Sequence, residues 1–282
     1  MNWHERMLAS GAAACGAVSR GALLPQMQDE QIARLETKVP DWQSVIVAVY
    51  PYYVKSDIPS PALSRYTWGE DYHAVLSRAL SPTAELLCAA GFLAEAFADV
   101  SPIPERIAAC LAGLGVLGKN GLLITPDYGS YCFIGCIATT AVLPANDAPI
   151  QSCENCGACA AACPTGALQK DGYHMERCLS HISQKKGDLS AEEITALRDN
   201  RCLWGCDACQ DACPHNRDPR ETAIPAFREN LMKTLTTDDL AHHTNRSFRV
   251  AYGDRAFSWR GPAVLRRNLA ILSEKPSENK GE

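Results

Sequence analysis

Nine of the fourteen cysteines in this chain fall between residues 153 and 213, at spacings that suit electron chemistry. The run Cys153-x2-Cys156-x2-Cys159-x3-Cys163-Pro, answered by Cys206-x2-Cys209-x3-Cys213-Pro, has the pattern that wraps thiolates around [4Fe–4S] cubes. Four thiolates can also hold zinc, but two interlocked Cys-Pro runs with small Gly and Ala between ligands suit cubes better. In two-cluster ferredoxins the last Cys of each run ligates the other cube. Cys153, Cys156 and Cys159 are therefore expected to share one cluster with Cys213, and Cys163 to join Cys206 and Cys209 in the second. The remaining place is contested between Cys178 and Cys202, and the C-x3-C spacing of Cys202 fits less well.

Cubes move electrons, so the rest of the chain must hold an acceptor. At 282 residues, 46% hydrophobic and 21% charged, there is room for a catalytic domain beside a small cluster domain. The net charge of −5 gives no general pull toward nucleic acid or anionic membrane. Any basic surface must be local: Arg246, Arg249, Arg255, Arg260, Arg266 and Arg267 stand among aromatics and could grip phosphates, or form an ordinary solvated face. The N-terminus lacks the apolar core of a secretory signal and reads as a helix and turn. No apolar run approaches the roughly eighteen residues of a membrane span. A cytoplasmic setting is expected, and Cys15, Cys88 and Cys110 read as inert thiols in apolar or small-residue segments.

The elements that must position these groups are legible in the periodicity. "SVIVAVYPYY" (44–53) suits a strand buried on both faces. Helical spacing follows through Tyr72, Val75, Leu76 and Leu80, continues past Pro82 and ends on Gly91. "FLAEAFADV" (92–100) alternates like a strand, residues 104–115 look helical with Pro at the start, and residues 121–143 give two strands around a turn at Pro126–Gly129. This predicts an α/β (α+β) domain over residues 1–150, a ferredoxin-like dicluster domain over 151–222, stabilised by metal–sulfur bonds, and a helical Arg-rich tail over 223–282. Ser190 and Glu193 form a capping box, and "SEKPSENKGE" at the end has a disordered composition.

"GLGVLGKN" (113–120) satisfies G-x-G-x-x-G and nearly satisfies the P-loop pattern. Both motifs need a strand entering the loop and a helix leaving it, so that amides face the phosphates. Here a helix enters and a strand leaves, and Asn120 stands where a magnesium-binding hydroxyl belongs. What remains is a tight loop that lets backbone approach something closely, with Lys119 and Asn120 as donors.

"YTWGEDYH" (66–73), "DVSPIPER" (99–106), "GLGVLGKNGLLIT" (113–125), "GSYCFIG" (129–135), "CPTGAL", "RCLSHIS" and "GCDACQDACPHN" together resemble the epoxyqueuosine reductases, cobalamin- and iron–sulfur-dependent enzymes of tRNA modification. Val116 and Cys136 depart from that family, which usually has Trp and Glu there, and the helical repeats of longer members are absent. The resemblance implies a cobalamin-binding α/β domain, two [4Fe–4S] clusters, a tRNA substrate and an external electron-donor protein. It gives the contested ligand place to Cys178, leaving Cys202 spare, and puts cobalamin against Tyr66, Asp71, Tyr72, Lys119 and Asn120. Asp71 could instead cap the following helix. Asp99 is the implied general acid, its carboxyl expected to be raised by burial; the alternative is that it merely shapes a turn. Glu105 is expected to stay ionised beside Arg106 and the helix amides. A corrinoid-dependent reductase of small molecules and a plain electron-transfer protein are the competing functions.

Overall fold

The structure is a computed structural model describing residues 2–56 and 63–274. The described residues form the strands β1 (Ala14–Ser19), β2 (Ser44–Pro51), β3 (Ala94–Ala98), β4 (Val116–Leu117), β5 (Leu123–Ile124) and β6 (Cys132–Thr139). The chain forms two compact units, one made of residues 1–53, 72–156 and 215–228, the other of 54–71, 157–214 and 229–282.

The first unit is built on a sheet of order β1-β2-β6-β3 in which every neighbouring pair is antiparallel. The β-branched run of β2 is buried at all eight positions because the sheet is covered on both sides. On one side Val45, Val47, Val49, Cys136 and Ala138 pack with Ala108, Ala109 and Leu111 of the helix Glu105–Leu111, and with Leu35 and Trp42. On the other lies the helix Tyr72–Ala89, which runs unbroken through Pro82 and sets Leu80 against Gly135. Alternation along β2 therefore separates two apolar faces rather than an apolar face from a wet one.

Strand β4 lies within the expected glycine loop, and β1 escapes the sequence pattern altogether. Residues 14–19 pair with β2 as an edge strand, where a turn was expected, because their small side chains carry little apolar signal. The smallness has a packing cause: a Cβ on Gly16 would stand 2.9 Å from the Ala112 carbonyl oxygen, so only glycine lets the helix end come this close.

In the second unit, Leu63, Trp68, Leu203, Trp204, Leu240, Phe248, Phe257 and Leu265 form one core. Leu179, Ile182, Leu197, Cys202 and Ile271 form another. The helix Ala191–Asp199 starts on the Ser190–Glu193 capping box that the sequence signals. Half of the six arginines in the Arg-rich segment are tied to backbone carbonyls. Arg255 donates to the Trp68 carbonyl, Arg266 to those of Leu240 and His243, and Arg267 to those of Lys185 and Gly187. Arg246 and Arg249 stay exposed on the helix Asn245–Tyr252.

These units differ from contiguous boundaries at 150 and 222. Hydrogen bonds from Thr222 to the Tyr53 carbonyl and from Arg220 to that of Asp127 return residues 215–228 to the first unit. A bridge between Leu63 and Trp204 and the bond from Ser64 N–H to the Trp204 carbonyl bind residues 63–71 to the second. The segment 273–282 was expected to be disordered, but Ser273 closes the helix Pro262–Ser273, and residues 275–282 lie outside the described residues. Among the described residues no helix is long and apolar enough to cross a membrane.

Candidate active site and cluster ligands

Asp99 follows β3 directly, in left-handed backbone at φ 62°. Aspartate tolerates that region better than most residues, and among the described residues Asp41 and Asp147 adopt it too. The Tyr72 hydroxyl donates to Asp99 Oδ2 at 2.8 Å, and His73 Nε2 lies 3.2 Å from the same oxygen. Both partners come from the first turn of the helix Tyr72–Ala89. The Tyr72 ring also stacks on Phe133 of β6 at 4.4 Å, and Phe133 packs on Tyr52 and Phe227. A carboxylate thus stands beside an aromatic shelf. His73 and Phe133 sit inside "GEDYH" and "GSYCFIG" without having been assigned a role, because nothing in spacing alone shows which motif member points inward.

The acid–base expectation is corrected by these contacts. The His73 bond, helped by that of Tyr72, outweighs burial and holds the Asp99 carboxyl below its ordinary value, on a side chain still 56% exposed. Glu105 goes the other way. Burial foremost, then the Asp99 charge, push it up to about 7, against the pull of the Asp99 amide, Ser101 and Arg106. Its Oε1 is buried and lacks a hydrogen-bond partner among the described residues. Arg106 does not hold Glu105 ionised because its guanidinium is turned to the Gly121 carbonyl, tying the Asp99–Arg106 segment to the glycine loop. Behind Glu105, the Cys136 thiol is fully buried and pushed well above its usual range, as expected of an inert core thiol.

The glycine loop approaches a cluster ligand. Leu117 donates to the Gln151 carbonyl and accepts from Cys153 N–H, so residues 151–153 run beside β4. The Lys119 N–H then points at Cys153 Sγ at 3.3 Å, and its ammonium reaches Asn155 Oδ1 at 3.0 Å. Gly118 permits the turn: a Cβ there would lie 2.5 Å from Asn120 Oδ1. Asn120 accepts from Leu122 N–H, while its Nδ2 is buried without a partner among the described residues.

Tyr66 and Asp71, grouped with these residues by resemblance, belong to the second unit. The Tyr66 hydroxyl accepts from the Trp204 indole at 3.0 Å, and Asp71 N–H donates to the Asp254 carbonyl at 2.6 Å. Asp207, between the ligand candidates Cys206 and Cys209, accepts from Ser64 Oγ and Arg65 N–H. Burial nonetheless raises its carboxyl.

Cys153 and Cys156 belong to the first unit, and Cys159 and Cys213 to the second. Cys163, Cys178, Cys206 and Cys209 all lie in the second. Burial raises the Cys206 thiol to about 11, with Cys178 and Cys163 near enough to add to the effect. The Tyr173 hydroxyl is raised by burial, then by a bond to Cys178 and the charges of Cys178, Cys209 and Cys163. Burial opposes ionisation of Cys163, yet the Leu168, Ala167 and Thr165 amides outweigh it; Ala167 N–H lies 3.2 Å from the sulfur. Cys202 is different: its thiol donates to the Gly205 carbonyl at 2.8 Å, and burial drives it far above the usual range. Among the described residues no three His, Cys, Asp or Glu side chains converge on a single-ion site.

Residues 152–216 match the family profile described as a 4Fe-4S double cluster binding domain, and residues 33–100 that described as Epoxyqueuosine reductase QueG, DUF1730. Similar structures include an epoxyqueuosine reductase with a tRNA-Tyr epoxyqueuosine-modified tRNA stem loop (TM-score 0.82, 27% identity, 96% of this chain and 79% of that one). Another is the Bacillus subtilis epoxyqueuosine reductase with its catalytic aspartate loop swung out of the active site (TM-score 0.81, 26% identity, the same coverage). Among curated epoxyqueuosine reductases, that of Lactococcus garvieae is 34% identical over 76% of this chain, which spans 62% of it. That of Listeria monocytogenes is 32% identical over 88% of this chain and 68% of its own length. The Synechocystis sp. protein is 33% identical over 89% of this chain and 90% of itself. At these identities and coverages, with both family profiles matched, the chain belongs to the epoxyqueuosine reductase family.

Proposed function

We propose that this chain reduces the epoxide of epoxyqueuosine in tRNA to the alkene of queuosine. The observation that carries the reading is the grouping of Tyr72, His73 and Asp99 beside the Phe133 shelf, in a family member that also has a double-cluster domain. Two electrons and two protons convert the epoxide to alkene and water. The electrons enter singly from an external low-potential protein through two cubes, ligated by Cys153, Cys156, Cys159 and Cys213, and by Cys163, Cys178, Cys206 and Cys209.

Cobalamin is the cofactor that the family resemblance implies, and the residues present fit it. The aromatic shelf offers flat apolar surface, and the orphaned Asn120 Nδ2 is a buried donor of the kind an amide-fringed corrinoid would satisfy. Tyr72 and Asn120 would hold it from the first unit, with Tyr66 and Asp71 added by resemblance. When bound, cobalamin supplies a low-valent cobalt able to reduce the strained ring. Lys119, assigned to the same role from sequence, is turned to Cys153 and Asn155.

The protein's own task is the proton. Ring opening leaves an alkoxide, and Asp99 is placed to protonate it. Ionised and half exposed in the free protein, Asp99 gains proton affinity once bound substrate excludes water from its oxygen. For tRNA, exposed Arg246 and Arg249 are free to meet phosphates, and exposed Trp259 offers an aromatic face.

The test is anaerobic reconstitution with iron, sulfide and cobalamin, then incubation with tRNA from a strain that stops at epoxyqueuosine. Nucleoside mass spectrometry should show loss of one oxygen. A chain that binds two cubes and cobalamin yet leaves this tRNA unchanged has another substrate.

A further inference from the structure

We propose that Lys119 sets the reduction potential of the cube bound by Cys153. The loop brings two positive influences to one sulfur. The main-chain N–H of Lys119 lies 3.3 Å from Cys153 Sγ, and hydrogen bonds to cluster sulfurs favour the more negative, reduced cube. The ammonium of the same residue is anchored to Asn155, between Cys153 and Cys156 in sequence, and a fixed cation there favours reduction too.

The surroundings leave that charge standing. The anchor Asn155 is a neutral amide, and the one carboxylate within the run, Glu154, lies 3.2 Å from His215. The position is also held firmly. Residues 151–153 are bonded to Leu117, Gly118 tolerates no Cβ, and Arg106 grips Gly121. Cys163 has a setting of its own: Ala167 N–H lies 3.2 Å from its sulfur, and Arg177 donates to the Thr165 carbonyl. Lys119 belongs to the surroundings of Cys153 alone. This also explains a glycine loop of nucleotide-binding appearance that runs in the wrong order for phosphate: the Lys119 amide serves a thiolate instead.

The inference rests on Cys153 being a cube ligand, which iron analysis reads separately on the same samples. The experiment is a mediated dithionite titration of the reconstituted protein followed by electron paramagnetic resonance, on wild type, Lys119→Met and Lys119→Arg. In Lys119→Met, one cube should become harder to reduce by about three- to tenfold in its equilibrium, tenfold being 59 mV for a one-electron couple. The other cube should not move, and Lys119→Arg should restore most of the difference. Two intact cubes with unmoved potentials would overturn the role of Lys119 alone, while a wild-type chain without iron would overturn the ligand reading. Should Lys119→Met lose a cube, Lys119→Gln is read the same way, and loss of the cube there too replaces tuning by a purely structural role.

Discussion

Asp99, just after β3, and Glu105, the first residue of the next helix, titrate in opposite directions, the first held below its ordinary value by His73, the second lifted to about 7 by burial. One carboxyl is thus ionised and half exposed, while its neighbour carries a proton near neutrality in a drier place. Environments that push two acids apart are how a site separates proton-transfer roles between chemically similar groups.

Replacing Asp99 by Asn should leave the fold and both cubes intact, because Asn can still accept the Tyr72 hydroxyl and tolerates the left-handed backbone. Turnover on epoxyqueuosine tRNA should fall by a factor on the order of 10² or more, the usual scale of acid–base contributions. His73→Gln removes the largest influence that lowers Asp99, so the alkaline limb of its pH–rate profile should move to higher pH. An unmoved limb would mean that another group donates the proton.

The stability consequence of Glu105 has a definite sign. Folding raises this acid from 4.5 to about 7, so between those values the folded chain keeps a proton that the unfolded chain releases. Stability contributed this way is complete below the unfolded value and is lost as pH rises through the folded one. Glu105→Gln should therefore match wild type in thermal unfolding at pH 4 and gain on it progressively toward pH 8. A gap that closes as pH rises would contradict the burial argument.

Among the cysteines, Cys178→Ser should lower bound iron toward one cube per chain, since Cys178 is near enough to Cys206 to raise its thiol. Cys202→Ser should retain both cubes, because a hydroxyl can replace its thiol as donor to the Gly205 carbonyl. Iron and acid-labile sulfide counts decide, and equal losses would break the assignment.

Gly129→Ala should destabilise by about 1–3 kcal/mol, the scale of overpacking a filled site. The new Cβ would fall 1.8 Å from Asn216 Oδ1 and 2.8 Å from the His215 carbonyl, at a φ of 56° that suits glycine. Asn216 holds Ser130 through both its amide atoms, so the clash also loosens the start of the "SYCFIG" segment. The melting temperature should drop by about 2–4 °C per kcal/mol.

Much of this site was legible in the residues. Cysteine spacing carries its own geometry, and the long β-branched and helical runs announce β2, β3, β6 and the helices around them. Strand β1 stayed hidden because its small residues serve a close backbone approach rather than apolar burial. The protonation of Asp99 and Glu105 could not be read in sequence, because it depends on which helix turn supplies His73 and on where Arg106 points. That Lys119 turns to the Cys153 sulfur could not be read either, since adjacency to Asn120 says nothing about which of two neighbours does so.

The interleaving of the two units along the chain dictates an order of birth. Residues 63–71 leave the ribosome long before Trp204 and Asp254, to which they are bonded, and residues 215–228 must return to a unit made much earlier. Synthesis runs from the N-terminus, and domains with contiguous sequence can fold as they emerge. Neither unit here is contiguous, and the proposed cluster ligands are spread from Cys153 to Cys213. A cube that needs both runs waits until both have been made, which leaves a thiol-rich apoprotein open to oxidation in the interval.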